Sequence, residues 1–146
     1  MVDASCPFCD RSAPGRVLWA DPQCRVLLVE EAPFIGLCRV VWTAHVRELT
    51  DLDEADRSLV LEVVCAVEEG LRHLLRPDKI NLASFGNQVP HLHWHVIPRF
   101  ADDSHYPEAI WAPALRLPAA RSLPRDFATA LAAFLTDRLG PSVAAP

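Results

Sequence analysis

Several things are missing from this 146-residue sequence. No run approaches the ~20 consecutive apolar residues a membrane helix needs, so a membrane partner is not expected. The start, Met1-Val2-Asp3-Ala4-Ser5-Cys6, has neither a basic end nor an apolar run, so no signal peptide is expected there. There is no basic tract, and the formal charge is −5, which argues against a nucleic-acid-coating role. A small anionic ligand stays open if positive groups converge locally. No repeat of 20–50 residues and no low-complexity tract is present, which excludes solenoids and disordered linkers. The length suits one domain, residues 1–146, large enough to build a core without covalent staples. Five cysteines, an odd number, then point to a reduced, cytoplasmic protein in which paired cysteines serve metal or redox chemistry.

What is present reads as alternating strands and helices. Arg16–Ala20 and Cys24–Glu30 predict two strands around a turn at Asp21-Pro22. Gly36 precedes a third run, Cys38–Thr43. Ala55, Leu59, Val63, Val67, Leu71 and Leu74 recur every three or four positions and predict a long helix. Thr50 or Asp53 caps its start, and Pro77 ends it. Asn81–Phe85 and His91–Ile97 predict two more strands, joined by a turn at Gly86-Asn87-Gln88. A second helix is expected near Arg125–Leu139, with Phe127, Leu131, Phe134 and Leu135 on its apolar side and Gly140-Pro141 as its stop. The expected fold is α+β: an antiparallel β-sheet of about five strands, one long helix and a C-terminal helix. Cys24, Cys38 and Cys65 lie in apolar runs and are expected to be buried.

The most informative segment is Pro90-His91-Leu92-His93-Trp94-His95-Val96-Ile97-Pro98-Arg99. Side chains alternate across a strand, so the three histidines share one face while Leu92, Trp94 and Val96 share the other. Alternate residues are about 6.6 Å apart along the backbone, so the outer two histidines stand roughly 13 Å apart. That spacing suits a row of groups along an extended ligand better than closure of all three on one ion, although His-x-His on a strand is also a metal chelate. Near the start, Cys6-Pro7-Phe8-Cys9 is a C-x-x-C pair able to bite one tetrahedral zinc, with His45 and His91 as candidates for the other two ligands. A redox reading of the pair fits poorly, because no strand leads into it.

These residues resemble the histidine triad (HIT) superfamily of nucleotide hydrolases and transferases. The triad strand His91–Arg99, the Gly86-Asn87-Gln88-Val89 segment before it and the Gly36–His45 strand carry the resemblance, which spans roughly residues 6–111 and leaves 112–146 as an irregular arm and helix. It implies that His93 is a nucleophile attacking the α-phosphorus of a nucleotide, and that His95 contacts the phosphate and assists the leaving group. It also implies nucleotide contacts from Glu30 (or Glu31), Asn81, Asn87, Gln88 and Trp111. By likeness to the zinc-bearing, uridylyltransferase-like branch, Cys6, Cys9, His45 and His91 would hold a structural zinc. The expected partner is a small nucleotide, and the expected assembly a homodimer. The leading expectation is hydrolysis of dinucleoside polyphosphates or nucleoside phosphoramidates through a nucleotidyl-histidine. Transfer to phosphate or sugar phosphate, a metal-activated water, or nucleotide binding with little catalysis are the alternatives. Three positions depart from the family pattern: Leu37 stands where a histidine is usual, Gln88 replaces Ser or Thr, and Trp42 replaces proline.

Overall fold

A computed structural model describes residues 5–143. Met1–Ala4, most of the stretch expected to lack a targeting sequence, lies outside the described residues. Five strands form one antiparallel sheet: β1 (Arg16–Ala20), β2 (Cys24–Leu28), β3 (Cys38–Trp42), β4 (Lys79–Ala83) and β5 (His93–Arg99), in the order β1-β2-β3-β5-β4. Two helices complete the fold, α1 (Glu54–Leu75) and α2 (Phe127–Leu139). Among the described residues no helix is long and apolar enough to cross a membrane.

The start and stop of α1 follow local chemistry. Asp53 caps α1 by accepting a hydrogen bond from the Asp56 amide at 2.9 Å, while Glu54 and Asp56 oppose the positive helix end. The helix stops at Arg76, whose left-handed φ of 49° avoids the helical geometry disfavoured before Pro77. Val60, Val63, Val64, Val67 and Leu71 of α1 and Phe127, Leu131 and Leu135 of α2 are buried in one core with the sheet, α2 packing on both α1 and β1. Burying each such side chain contributes about 1.5–3 kcal/mol before entropy is counted. Cys65 falls off this stripe. It is exposed, correcting the expectation of burial, whereas Cys24 and Cys38 are buried. Burial pushes the Cys38 thiol up to about 12 and raises that of Cys24 too, so both remain inert thiols.

The sheet has two unlike faces. Even-numbered residues of the central strands (Val26, Leu28, Cys38, Val40, Trp42, Leu92, Val96) pack with both helices in the main core. Odd-numbered residues look the other way. There, Cys6 and Phe8 pack on Leu27 and Val41, while Phe34 and Ile110 pack on Val29, Leu37 and Ile97. The helix-free face is thus covered at both ends by non-helical segments and left open between them. Gly36 makes the corner into β3 with φ 75°, and a Cβ there would meet Leu75 Cδ1 at 2.6 Å.

The strand bounds shift from those expected. β4 begins two residues earlier, at Lys79, and β5 begins at His93, leaving His91 just outside the ladder. The bend is fixed by the Trp42 amide bonding the Leu92 carbonyl at 3.1 Å and the Leu92 amide bonding the Val46 carbonyl at 2.8 Å. This brings His91 beside the loop that carries His45.

At the far end, Arg99 is 1% exposed and grips both carboxylate oxygens of Asp103, Nε–Oδ2 at 2.8 Å and Nη2–Oδ1 at 3.0 Å. Asp103 also accepts from the His105 and Tyr106 amides. Burial alone would raise its carboxyl, but Arg99 and these amides hold it at about 2. The pair pins the segment after β5 across the open face. Asp103→Ala would strand a buried guanidinium, so it is expected to cost about 3–5 kcal/mol, checked by urea unfolding of both proteins.

Candidate functional site

The open face holds a cavity of about 540 Å³ lined by His93, His95, Arg39, Glu31, Asn87, Gln88, Phe8, Phe85 and Trp111 among others. Strand register assembles it. Arg39 of β3 lies directly opposite His95 of β5, and Val41 lies opposite His93. The period of two then places Arg39, His93 and His95 on one face.

His93 is held in a defined tautomer. Its Nδ1 donates to the His91 carbonyl at 2.6 Å, which leaves Nε2 with its lone pair. Phe8 packs on its ring at 4.7 Å between centroids, and Ser84 Oγ donates to its carbonyl. Burial lowers the His93 pKa against the opposing pull of the His91 carbonyl. Burial, together with the neighbouring His93 and the Arg39 charge, takes His95 down to about 4. Both rings are therefore neutral at pH 7, the form in which an imidazole is nucleophilic. The His93 and His95 rings meet at 5.0 Å, and Trp111 stands edge-on to His95 at 5.2 Å and to Phe85 at 4.6 Å.

His91 points elsewhere, into a cluster with Cys6, Cys9 and His45 whose four donor atoms all lie within 4.8 Å of one another. Cys6 Sγ is 3.4 Å and Cys9 Sγ 3.6 Å from His91 Nδ1, and Cys9 Sγ is 3.2 Å from His45 Nδ1. The edges of a tetrahedral S₂N₂ zinc site measure about 3.5 Å, given metal bonds near 2.0–2.3 Å. The His91 Nε2 proton goes to the Trp42 carbonyl at 2.6 Å, so Nδ1 is free to bind a metal. The donor set and its hydrogen bonding fit a tetrahedral ion. The knuckle is shaped by the Cys9 and Asp10 amides bonding the Cys6 carbonyl, and Arg25 anchors it through the Phe8 carbonyl.

The nucleotide-binding expectations divide. Asn87, Gln88, His95 and Trp111 line the cavity, and so does Glu31. Glu30 does not: it borders a separate hollow with Arg16 and Arg125, because neighbouring residues of an extended chain face opposite ways. Asn81 also lies outside, its Oδ1 accepting from Arg99 Nη1 at 2.7 Å. Phe8 and Arg39 are among the cavity-lining residues that escaped the sequence reading. Phe8 sits inside the C-x-x-C spacer, and Arg39 interrupts an apolar strand. The interruption was the available signal, since a charge at one alternate position of a central strand needs a polar pocket. His73 is exposed on α1, and His105 packs against Phe34 outside the cavity.

His95 is expected to stay neutral in the ligand-free protein until pH falls to about 4. In the unfolded chain a histidine protonates near 6.5. The unfolded chain then binds more protons between these values, so this residue costs stability as pH falls through that window and none above it. A side-chain NMR titration reads this directly, and a midpoint near 6.5 would count against the buried geometry.

The HIT domain model matches residues 10–102, well over half of the chain. A histidine triad protein from Marinobacter aquaeolei VT8 is 27% identical, with 88% of this chain and 95% of that one aligned at a TM-score of 0.73. One from Bradyrhizobium japonicum is 24% identical over 89% and 94% of the two chains, at a TM-score of 0.70. A Zn-bound histidine triad family protein from Mycobacterium smegmatis is 24% identical over 91% and 94%, at a TM-score of 0.63. With the triad strand, its cavity and its fold in place, the chain belongs to the HIT family, whose members bind small nucleotides and are commonly hydrolases or transferases.

Proposed function

We propose that the protein is a nucleotide hydrolase that cleaves nucleoside polyphosphates of the dinucleoside type, or nucleoside phosphoramidates, at the α-phosphorus. The single observation that carries this reading is the orientation of His93: Nδ1 is committed to the His91 carbonyl, and the ring lines a cavity wide enough for a nucleotide.

In the first step His93 Nε2 attacks the α-phosphorus. A phosphorus–nitrogen bond forms, and the bond to the leaving oxygen or nitrogen breaks. The leaving group keeps the electron pair and takes up a proton from water, one that the second step returns. The ring becomes cationic, and its Nδ1–H···O=C bond to His91 strengthens as it does. In the second step water attacks phosphorus, the phosphorus–nitrogen bond breaks, and a nucleoside monophosphate and a proton leave while Nε2 regains its lone pair. His95 and the Asn87–Gln88 segment supply the polar groups around the phosphate. Trp111 and Phe85 offer aromatic edges at the cavity mouth.

We read the Cys6–Cys9–His45–His91 cluster as a structural zinc site, supported by its donor set and by the Zn-bound relative. Zinc there would tie the N-terminal knuckle to the strand end that orients His93. The family habit of pairing sheets supports a homodimer acting on a small nucleotide in the cytoplasm.

Two measurements test this. Intact-mass spectrometry after mixing with a panel of nucleotides should show one added nucleoside monophosphate per chain, absent in His93→Ala, whose turnover should drop by at least roughly 10³-fold. An active His93→Ala, or preferential transfer from the adduct to phosphate or sugar phosphate, overturns the hydrolase assignment. Elemental analysis should give close to one zinc per chain in the wild type and far less in Cys6→Ser, with a lowered melting temperature. A metal-free wild type that melts no lower after chelation removes the zinc assignment.

A further inference from the structure

Arg39 takes no part in the proposed bond-making and bond-breaking steps, and its surroundings are unusual. It lies in the middle of the sheet, on β3 between β2 and β5, with Leu27 and His95 as its direct cross-strand partners. Its side chain is 18% exposed. A guanidinium carries five N–H donors. Here Nε is buried without a hydrogen-bond partner, and the carboxylate contact is Glu31 at 3.6 Å from Nη2, beyond good hydrogen-bond length. Glu31 is itself about half exposed, so the pair is loose and easily exchanged. The imidazole across the ladder is in a similar state, with His95 Nδ1 buried and unpartnered.

Both groups border the same cavity. Among the described residues lining it, Arg39 is the one fixed cation and Glu31 the one carboxylate. Arg39 therefore supplies the permanent positive charge of this lining. A half-buried arginine whose Nε is shut from water without a partner is costly unless a ligand completes its coordination. The ligand that suits a planar fork of donors is an oxyanion with two available oxygens.

We propose that Arg39 is the phosphate-gripping residue of this site: its guanidinium leaves Glu31 and takes the non-bridging oxygens of the phosphate presented to His93. This rests on reading the cavity as a nucleotide site. The exchange moves no covalent bond. It replaces a long, solvent-screened ion pair by a short charge-assisted one, and it releases Glu31 toward the cavity wall. The gain is largest for the pentavalent arrangement, in which charge gathers on those oxygens. Discrimination follows from the same geometry. A nucleoside lacking phosphate leaves the Arg39–Glu31 pair in place and gains nothing from it.

Calorimetry with two probes, adenosine and adenosine 5′-monophosphate, separates the possibilities. The wild type should bind the monophosphate more tightly than the nucleoside. In Arg39→Gln that preference should fall by roughly tenfold or more, with adenosine affinity unchanged. Arg39→Lys should restore part of it, since it keeps the charge and loses the fork. Glu31→Gln should raise the preference for the monophosphate over adenosine by roughly twofold to fivefold, because no carboxylate then competes for the guanidinium, and any nucleoside contact of Glu31 cancels between the two probes. A monophosphate preference retained in both Arg39 variants overturns this role while the nucleotide reading stands. No binding of the monophosphate by the wild type overturns both. Should Arg39→Gln fail to fold, the Glu31→Gln arm decides: an unchanged or smaller preference for the monophosphate over adenosine overturns the exchange.

Discussion

The carbonyl of His91 accepts the Nδ1 proton of His93 at 2.6 Å, and the chemistry of the site depends on that bond. It selects the tautomer, leaves Nε2 free on the cavity side and, in the proposed mechanism, would stabilise the ring as it turned cationic. A side-chain acceptor could rotate away, whereas a backbone carbonyl cannot move without moving the strand. The strand end is in turn fixed by Trp42, which bonds the Leu92 carbonyl through its amide and the His91 ring through its own carbonyl. The His93 ring, the cluster and the sheet core are thus joined across three consecutive residues of one strand end.

That arrangement explains why the sheet is asymmetric. Both helices pack on the even-numbered face, so hydrophobic burial there is dense and needs no ligand. The odd-numbered face has no helix. Its two ends are closed by other means: the C-x-x-C knuckle with Phe8 at one, and the segment pinned by Arg99 and Asp103 at the other. Between these covers the face must carry polar groups at the edge of water. Histidines suit it, because burial leaves them neutral at modest cost, while a lysine or carboxylate in the same row would demand a partner.

Much of this was legible in the sequence. The alternation of His93–Ile97 announced a two-faced strand, although His91, expected on the same face, lies just before it and turns to the cluster, and the stripe of α1 announced the layer behind it. The C-x-x-C spacing, with His45 and His91, named the four members of the cluster. What the sequence hid depended on contacts distant along the chain. Glu30 and Glu31 differ by one position in an extended segment, and only the path of the backbone decides which carboxylate faces the cavity. Asn81 shares the correct face yet sits one pair too far along, where a buried Arg99 claims its oxygen. Arg99 itself read as the tail of a motif. Its burial is visible only once Asp103 folds back upon it.

The departures from the family pattern become coherent on the same face. Leu37 stands where a histidine is usual, and it is wholly buried among Val29, Phe34, Ile97 and Ile110. A polar ring at that point would sit in an apolar plug without partners. Two residues on, the same strand face reaches the cavity and presents Arg39 opposite His95. β3 therefore supplies a permanent cation at the cavity, and it does so one pleat nearer to His93 than Leu37. An imidazole in such a row could hold its charge only by titrating, and burial works against that. A guanidinium keeps its charge at every accessible pH, at the cost of needing an anion when the cavity is closed to water. Glu31 fills that need loosely, from the exposed rim, which leaves the stronger position open to phosphate.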